Sequence, residues 1–376
     1  MVIAQSMLLA FVAGLALRAN GFVNPWTRMA IVGSTALISG LPFVCSQVIT
    51  DVFTPILVIT MFLLLFVEDL PKRTRTLLFA LFLLAFATHM SHVSITILLL
   101  VMAIVIRRFV RHTSTGRPFW RALLIIIVLS TIGTLAMGVS LAKSKYSFYA
   151  AHLAEIGVLQ RYLEEHCATE HFRMCERLGS IPHSADAFLW ADDTPLKVYE
   201  SRQQMEDELG RITMASLKEP NLLAMQVVSA FKASMQQLVH FGIGEGNGSF
   251  GKGTLLNERI ELFIPSEIWA FNHARQMNAP EFRGPVDAWN PVLNFIMGLS
   301  FLFLIVLWII KRKMLARNPL MQNMTIFLAF ALLINSTVNA SLVMVADRFG
   351  AKLAWMVPFL AITLVMKLIK SRNEIA

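Results

Sequence analysis

Residues 77–106 read LLFALFLLAFATHMSHVSITILLLVMAIVI, with no Lys, Arg, Asp or Glu among them. An apolar run of this length suits a bilayer rather than a soluble core. One interruption breaks it, His89-Met90-Ser91-His92. Basic residues flank both ends: Lys72, Arg73 and Arg75 before it, and Arg107, Arg108, Arg111, Arg117 and Arg121 after it. Such clusters in short loops mark the cytoplasmic side, so an even number of crossings lies between them. Two helices therefore meet at a tight extracytoplasmic turn carrying both histidines. Each helix has about 15 residues, roughly 23 Å at the helical rise and short of a ~30 Å hydrocarbon core. The turn is thus expected below the membrane surface, inside protein or a wet cavity, because bare backbone does not face lipid.

The same reading extends along the chain. ALLIIIVLSTIGTLAMGVSLA (122–142) and FIMGLSFLFLIVLWII (295–310) are equally apolar. Hydrophobic residues make up 56% and charged residues 15%, against about 25% charged in ordinary globular chains. The mean hydropathy of +0.62 includes a long polar stretch, so the remainder is more apolar still. These properties predict an all-α polytopic membrane protein with about nine spans, near 2–18, 28–46, 53–68, 75–89, 92–107, 122–142, 291–310, 321–345 and 351–368. Six spans form an N-terminal bundle over 1–142 and three a C-terminal bundle over 291–376. The mainly helical segment 143–290 lies between them.

Lys311, Arg312, Lys313 and Arg317 form a further basic loop, and Lys367, Lys370 and Arg372 a basic tail. Both are expected to be cytoplasmic, which places 143–290 on the extracytoplasmic side. Counting back puts the N-terminus outside as well. MVIAQSMLLAF lacks both a charged flank and the basic start of a signal peptide, so further helices are expected to have preceded it. The net charge of +9 follows from this positive-inside pattern and anionic lipid, not from nucleic acid.

Within the polar segment, Cys167 and Cys175 stand eight apart, a spacing that suits a local disulfide in an oxidising compartment. No CxxC or Cys/His spacing suggests a structural zinc, and no metal ligands are assigned. From Asn221 to Phe241, Leu222, Met225, Val228, Phe231, Met235 and Leu238 recur at helical spacing, predicting an amphipathic helix lying on the membrane or on the bundle. Trp190, Trp269 and Trp289 suit the interface. GIGEGNGSFGKG (242–253) superficially resembles a phosphate-binding loop. No strand precedes it and no GK[ST] follows, so a flexible connection or hinge is the better reading.

Ionisable groups at span ends collect on the predicted outer side, where they are costly and tend to be functional. Asp51 opens the third span, His89 and His92 occupy the turn, and Asp347 and Arg348 join the last two spans. Asp51, His89 and His92 are candidate catalytic residues; Asp347, Arg348, Lys352 and Asn339 are candidate substrate-binding residues. Each also has a plain structural role available. Asp51 suits a helix N-terminus, the histidines suit helix ends, and Asp347 and Arg348 suit a local pair. Lys352 suits snorkelling, and Asn335 with Asn339 suits helix joining.

SQVITDVFTPILVITMFLLLF (46–66) resembles the element after the second outer loop of GT-C membrane glycosyltransferases, where an acidic residue starts a helix. VMVADRFGAKLAWMVPFLAITLV (343–365) is similar to their late helix pair, with a charged junction and a proline-containing helix. Together with the histidine turn and FLWADD (188–193), most of the chain resembles uncharacterised proteobacterial proteins of this type. The resemblance implies inverting transfer of a sugar from a polyprenyl-phosphate donor to an envelope acceptor. Asp51 would then serve as base or as ligand to a divalent cation, with Arg348 and a histidine neutralising the departing phosphate. The chain departs from the family in lacking its first long outer loop, where the principal acid usually lies. Two other readings therefore stand beside it: a non-catalytic membrane subunit of an envelope-assembly complex, and a transporter or flippase.

Overall fold

The computed structural model describes residues 1–47, 49–110, 116–141, 145–244, 251–274, 277 and 286–373. Arg111 of the basic loop and Glu245–Phe250 of the glycine-rich run lie outside the described residues, as do the side chains of Lys313 and Arg372. Among the described residues the protein is 82% helix, with no strand. The chain runs through α1 (Val2–Ala19), α2 (Pro25–Ile38), α3 (Leu41–Ser46), α4 (Phe53–Phe66), α5 (Lys72–Phe86), α6 (Ser91–Phe109) and α7 (Arg117–Leu141). The polar segment follows with α8 (Lys145–Glu155), α9 (Val158–Glu170), α10 (Ala185–Trp190), α11 (Arg202–Ser216), α12 (Pro220–Gln237), α13 (Leu255–Phe263) and α14 (Ile268–Asn272). It closes with α15 (Asn290–Ala316), α16 (Pro319–Leu342), α17 (Asp347–Ala354) and α18 (Met356–Asn373).

Six helical stretches are long and apolar enough to cross a membrane: Val2–Ala19, Ser91–Phe109, Arg117–Ala136, Asn290–Arg312, Pro319–Leu342 and Asp347–Lys370. The protein is a multi-pass membrane protein. Two of the expected spans are shorter than predicted. The stretch 28–46 is two helices of 14 and 6 residues. They break at Ser39-Gly40, just before Pro42, whose ring and missing N–H cannot continue a helix. α4 has 14 residues, fewer than expected, whereas α5 has the expected 15, set three positions earlier. α6 instead runs 19 residues, because its helix continues through Arg107 and Arg108.

The chain divides into two compact units, one of Met1–Val52, His240–Asn318 and Ala346–Ala376, the other of Phe53–Val239 and Pro319–Val345. In the first unit α1 packs on α2 and α3, while α18 packs on α2 and α15. Lys367 Nζ donates to Asn20 O at 3.0 Å and Lys370 Nζ to Gly21 O at 3.0 Å. These cations meet the carbonyls left over at the end of α1, so α1 and α18 end on the same side of this unit.

In the second unit α4 is buried on every side from Thr54 to Phe66, as befits a helix apolar all round. Phe62 and Phe66 stack on it, and Phe327 of α16 meets both rings, at 6.2 and 5.6 Å. The polar helices α8 to α12 carry their own core, including Leu153, Leu159, Phe188, Leu209 and Ile212. The expected Cys167–Cys175 disulfide is present, with Cα atoms 5.8 Å apart.

The expected amphipathic helix is α12, and its packing face is the small and polar one. Gln226, Ala233, Ser234 and Gln237 are buried with Leu222, and α12 packs on α16. Val227, Val228, Phe231 and Met235 are exposed. Small and hydrogen-bonding residues let two helices approach closely in a membrane, which leaves the apolar stripe outermost. Trp190, Trp269 and Trp289 are also exposed.

Candidate functional site

The first unit brings Asp51 together with three charged residues of one helix far along the sequence. A short 3-10 turn over Thr50–Val52 holds Asp51, and α17 presents Asp347, Arg348 and Lys352. That turn packs on α17, as does α3. Asp51 is 6% exposed and Lys352 is fully buried. Lys352 Nζ lies 3.5 Å from Asp51 Oδ1, an ion-pair distance at the outer limit of a hydrogen bond. Among the described residues Lys352 Nζ has no closer polar partner. A buried ammonium is costly unless its N–H groups are all engaged, and two of the three here are not.

Lys352 therefore does not snorkel; the helix turns it inward toward a cleft. Asp51, Gln47, Gly242, Gly244, Arg348 and Lys352 line this cleft. Arg348 is exposed at its rim. Both cations use the same aromatic face, with Arg348 Cζ 4.9 Å and Lys352 Nζ 5.3 Å from the Phe349 ring centre, within cation–π range. The volume at the centre is about 20 Å³, room for one water molecule. Two cations and a carboxylate thus line the cleft, with Asp347 and Asp287 set against its Gly242 and Gly244 wall.

The glycine-rich run supplies one wall, a role its sequence does not announce. Gly350 leaves no room for a Cβ against the carbonyl oxygen of His240. A Cβ on Gly242 would lie 2.6 Å from Asp347 Oδ2. Asn290 clasps the next residue at both backbone groups: Ile243 N donates to Asn290 Oδ1 at 2.7 Å, and Asn290 Nδ2 donates to Ile243 O at 3.1 Å. Asp347 itself faces His240, with Nδ1 3.4 Å from Oδ1. It thus holds the wall rather than lining the cleft. The signal that could have found this wall is the close glycine spacing, since only residues without Cβ permit such approaches.

The remaining candidates belong to the second unit. His92 is fully buried, its Nδ1 2.7 Å from Ala85 O and its Nε2 2.9 Å from Thr54 Oγ1. A carbonyl only accepts, so Nδ1 carries a proton and donates to Ala85 O. The ring thus satisfies the end of α5. His89 Nδ1 accepts from Ser91 N at 3.2 Å and lies 2.8 Å from Ser91 Oγ. Asn339 Nδ2 donates to Asn335 O at 2.8 Å and to Asn335 Oδ1 at 3.0 Å, so these bonds run along α16 instead of between helices.

A divalent cation does not fit at Asp51. Such an ion takes several oxygen ligands, whereas the carboxylate here faces an ammonium. Among the described residues no three His, Cys, Asp or Glu side chains converge.

The polar segment contains buried acids that the sequence does not single out. Glu206 accepts from Tyr146 N at 2.9 Å and Ser147 N at 3.1 Å, capping α8. Glu208 accepts from Arg173 N at 3.1 Å, Met174 N at 3.0 Å and Tyr199 OH at 2.7 Å. Burial and the Glu208 carboxylate push the Tyr199 phenol well above its ordinary range, so it stays a donor. Burial lowers the pKa of His152, with a Val343 backbone contact acting in the opposite direction. No family model, curated protein or solved structure matches this chain.

Proposed function

We propose that the protein is a GT-C-like membrane glycosyltransferase of the bacterial inner membrane, with about nine crossings. It would take a sugar from a polyprenyl-phosphate donor and pass it to an envelope acceptor at the periplasmic face. The observation that carries this reading is the buried Asp51–Lys352 pair beside Arg348, a cleft in which a carboxylate and two cations meet. In the reaction the acceptor hydroxyl attacks the anomeric carbon and the carbon–oxygen bond to phosphate breaks. Asp51 receives the hydroxyl proton, and Arg348 and Lys352 neutralise the departing phosphate. Arg348 suits that anion because its planar fork binds phosphate at two points. The Cys167–Cys175 disulfide favours an oxidising compartment for the polar segment. The shared side on which α1 and α18 end fits an odd number of crossings.

The test is native mass spectrometry of the detergent-purified protein for bound polyprenyl phosphate, followed by a transfer assay. Arg348→Ala should lose the lipid, and Asp51→Asn should lose transfer while still folded at the assay temperature, its unfolding midpoint lowered because Lys352 is stranded. A second reading, a non-catalytic envelope-assembly subunit, draws on the cleft's small volume, which holds no sugar as it stands. It predicts no bound polyprenyl phosphate and little response to Asp51→Asn.

A further inference from the structure

The first unit contains a second cavity of opposite character. It measures about 250 Å³ and lies among α1, α2, α3 and α18, with Leu9, Ala13, Ala36, Leu41 and Phe359 in its walls. Its polar members have spent their hydrogen bonds inside the protein. Ser6 Oγ donates to Val2 O at 2.8 Å and Thr35 Oγ1 to Ile31 O at 2.8 Å. Trp355 Nε1 donates to Lys352 O at 3.0 Å. No charged side chain lines the space.

Water needs two to four polar partners to settle in a cavity, and the Ser6, Thr35 and Trp355 donors here are already spent. An apolar cavity of ~150 Å³ stays dry and takes up a benzene-sized molecule; this one is larger. Leaving it empty would destabilise the unit in proportion to its volume. The surrounding medium supplies an occupant, because α1 and the Asp347–Lys370 stretch are long, apolar spans. Without a charged wall nothing there would hold a phosphate, so the ligand is recognised by its hydrocarbon alone.

We propose that this cavity is a structural lipid site, filled by one acyl chain of a bilayer phospholipid. The chain completes the packing of α1, α2 and α3 against α18. This site is separate from the Asp51 cleft and does not depend on the glycosyltransferase reading.

Native mass spectrometry should find one phospholipid retained by the wild type in mild detergent. Ala13→Leu and Ala36→Leu each place methyl groups into the cavity. Both variants should retain no phospholipid, and their unfolding midpoints in delipidated detergent should rise by several degrees. Cys45 also lines the space as a free thiol, and the other two cysteines are joined. Alkylation by N-ethylmaleimide therefore reads Cys45 alone. Adding phosphatidylethanolamine to the delipidated wild type should slow it at least fivefold, and neither alanine variant should respond. Lowered midpoints in both variants would mean the space is already packed, and would overturn the proposal. So would an unchanged Cys45 rate on adding lipid, or a retained prenyl lipid that Ala13→Leu and Ala36→Leu displace.

Discussion

Glu208 and Asp51 are both carboxylates at 6% exposure, in the second and first units respectively, and their surroundings differ sharply. Glu208 accepts two backbone N–H groups and a phenol, all within 3.1 Å. Asp51 has one ammonium at 3.5 Å. A carboxylate that spends its lone pairs on fixed donors holds backbone in place and has little left for a ligand. An ion pair with spare N–H groups opening on a cleft is unfinished, and a bound anion would complete it. Burial alone therefore does not mark a functional acid; the state of its partners does.

The sharpest way to break this comparison is Lys352→Met. Removing one partner strands the Asp51 charge and should cost about 3–5 kcal/mol, measured as a fall in the thermal midpoint in detergent. The double variant Asp51→Asn/Lys352→Met should recover most of that loss. Equal losses in single and double variants would show that the two charges do not act as a pair. Glu208→Ala should cost roughly 3 kcal/mol, because it leaves three buried donors without an acceptor. Tyr199→Phe, which removes only one of those donors, should cost about 1 kcal/mol. Reducing the Cys167–Cys175 disulfide should cost about 2–3 kcal/mol, the loop it closes being short. That loss belongs to the second unit and should leave ligand binding at Asp51 unchanged.

The smallest expected effect is a pH slope. With its folded pKa depressed by burial, His152 contributes stability that is fully present above about pH 6.5, its unfolded value. As pH falls below that, the unfolded chain takes up the proton first and stability declines. Glu155 works the other way, since burial raises its folded pKa and its contribution grows as pH falls. His152→Gln should flatten the slope between pH 7 and 5, read from unfolding midpoints; an unaltered slope would place its origin elsewhere.

Much of the fold was legible because membranes impose simple demands. Long charge-free runs identified six long apolar helices and the break between α5 and α6, and the eight-residue cysteine spacing identified the disulfide. The break at Ser39-Gly40 was less visible, since Pro42 sits within an apolar run where composition alone reads as continuous. The site was half legible. Asp51, Arg348 and Lys352 stood out as charges at span ends, but the pairing of Asp51 with Lys352 depends on tertiary packing across most of the chain. Glu206 and Glu208 looked like ordinary residues of a charged helix, because the amides they cap lie 34 to 60 positions away. The packing face of α12 was left open for a related reason. Periodicity locates an apolar stripe, but in a membrane protein that stripe is free to face outward.

The two-point clasp of Asn290 on Ile243 has a further meaning for how this chain tolerates change. It fastens Ile243 to the start of α15, so the connection between them, which carries α13 and α14, begins and ends at a fixed base. Lengthening such a loop adds only about 0.6 kcal/mol per doubling. Insertions and deletions between the clasped ends should therefore leave α15 in place. Variation in length is affordable there, whereas a change at Asn290 itself would set α15 adrift from the wall of the cleft.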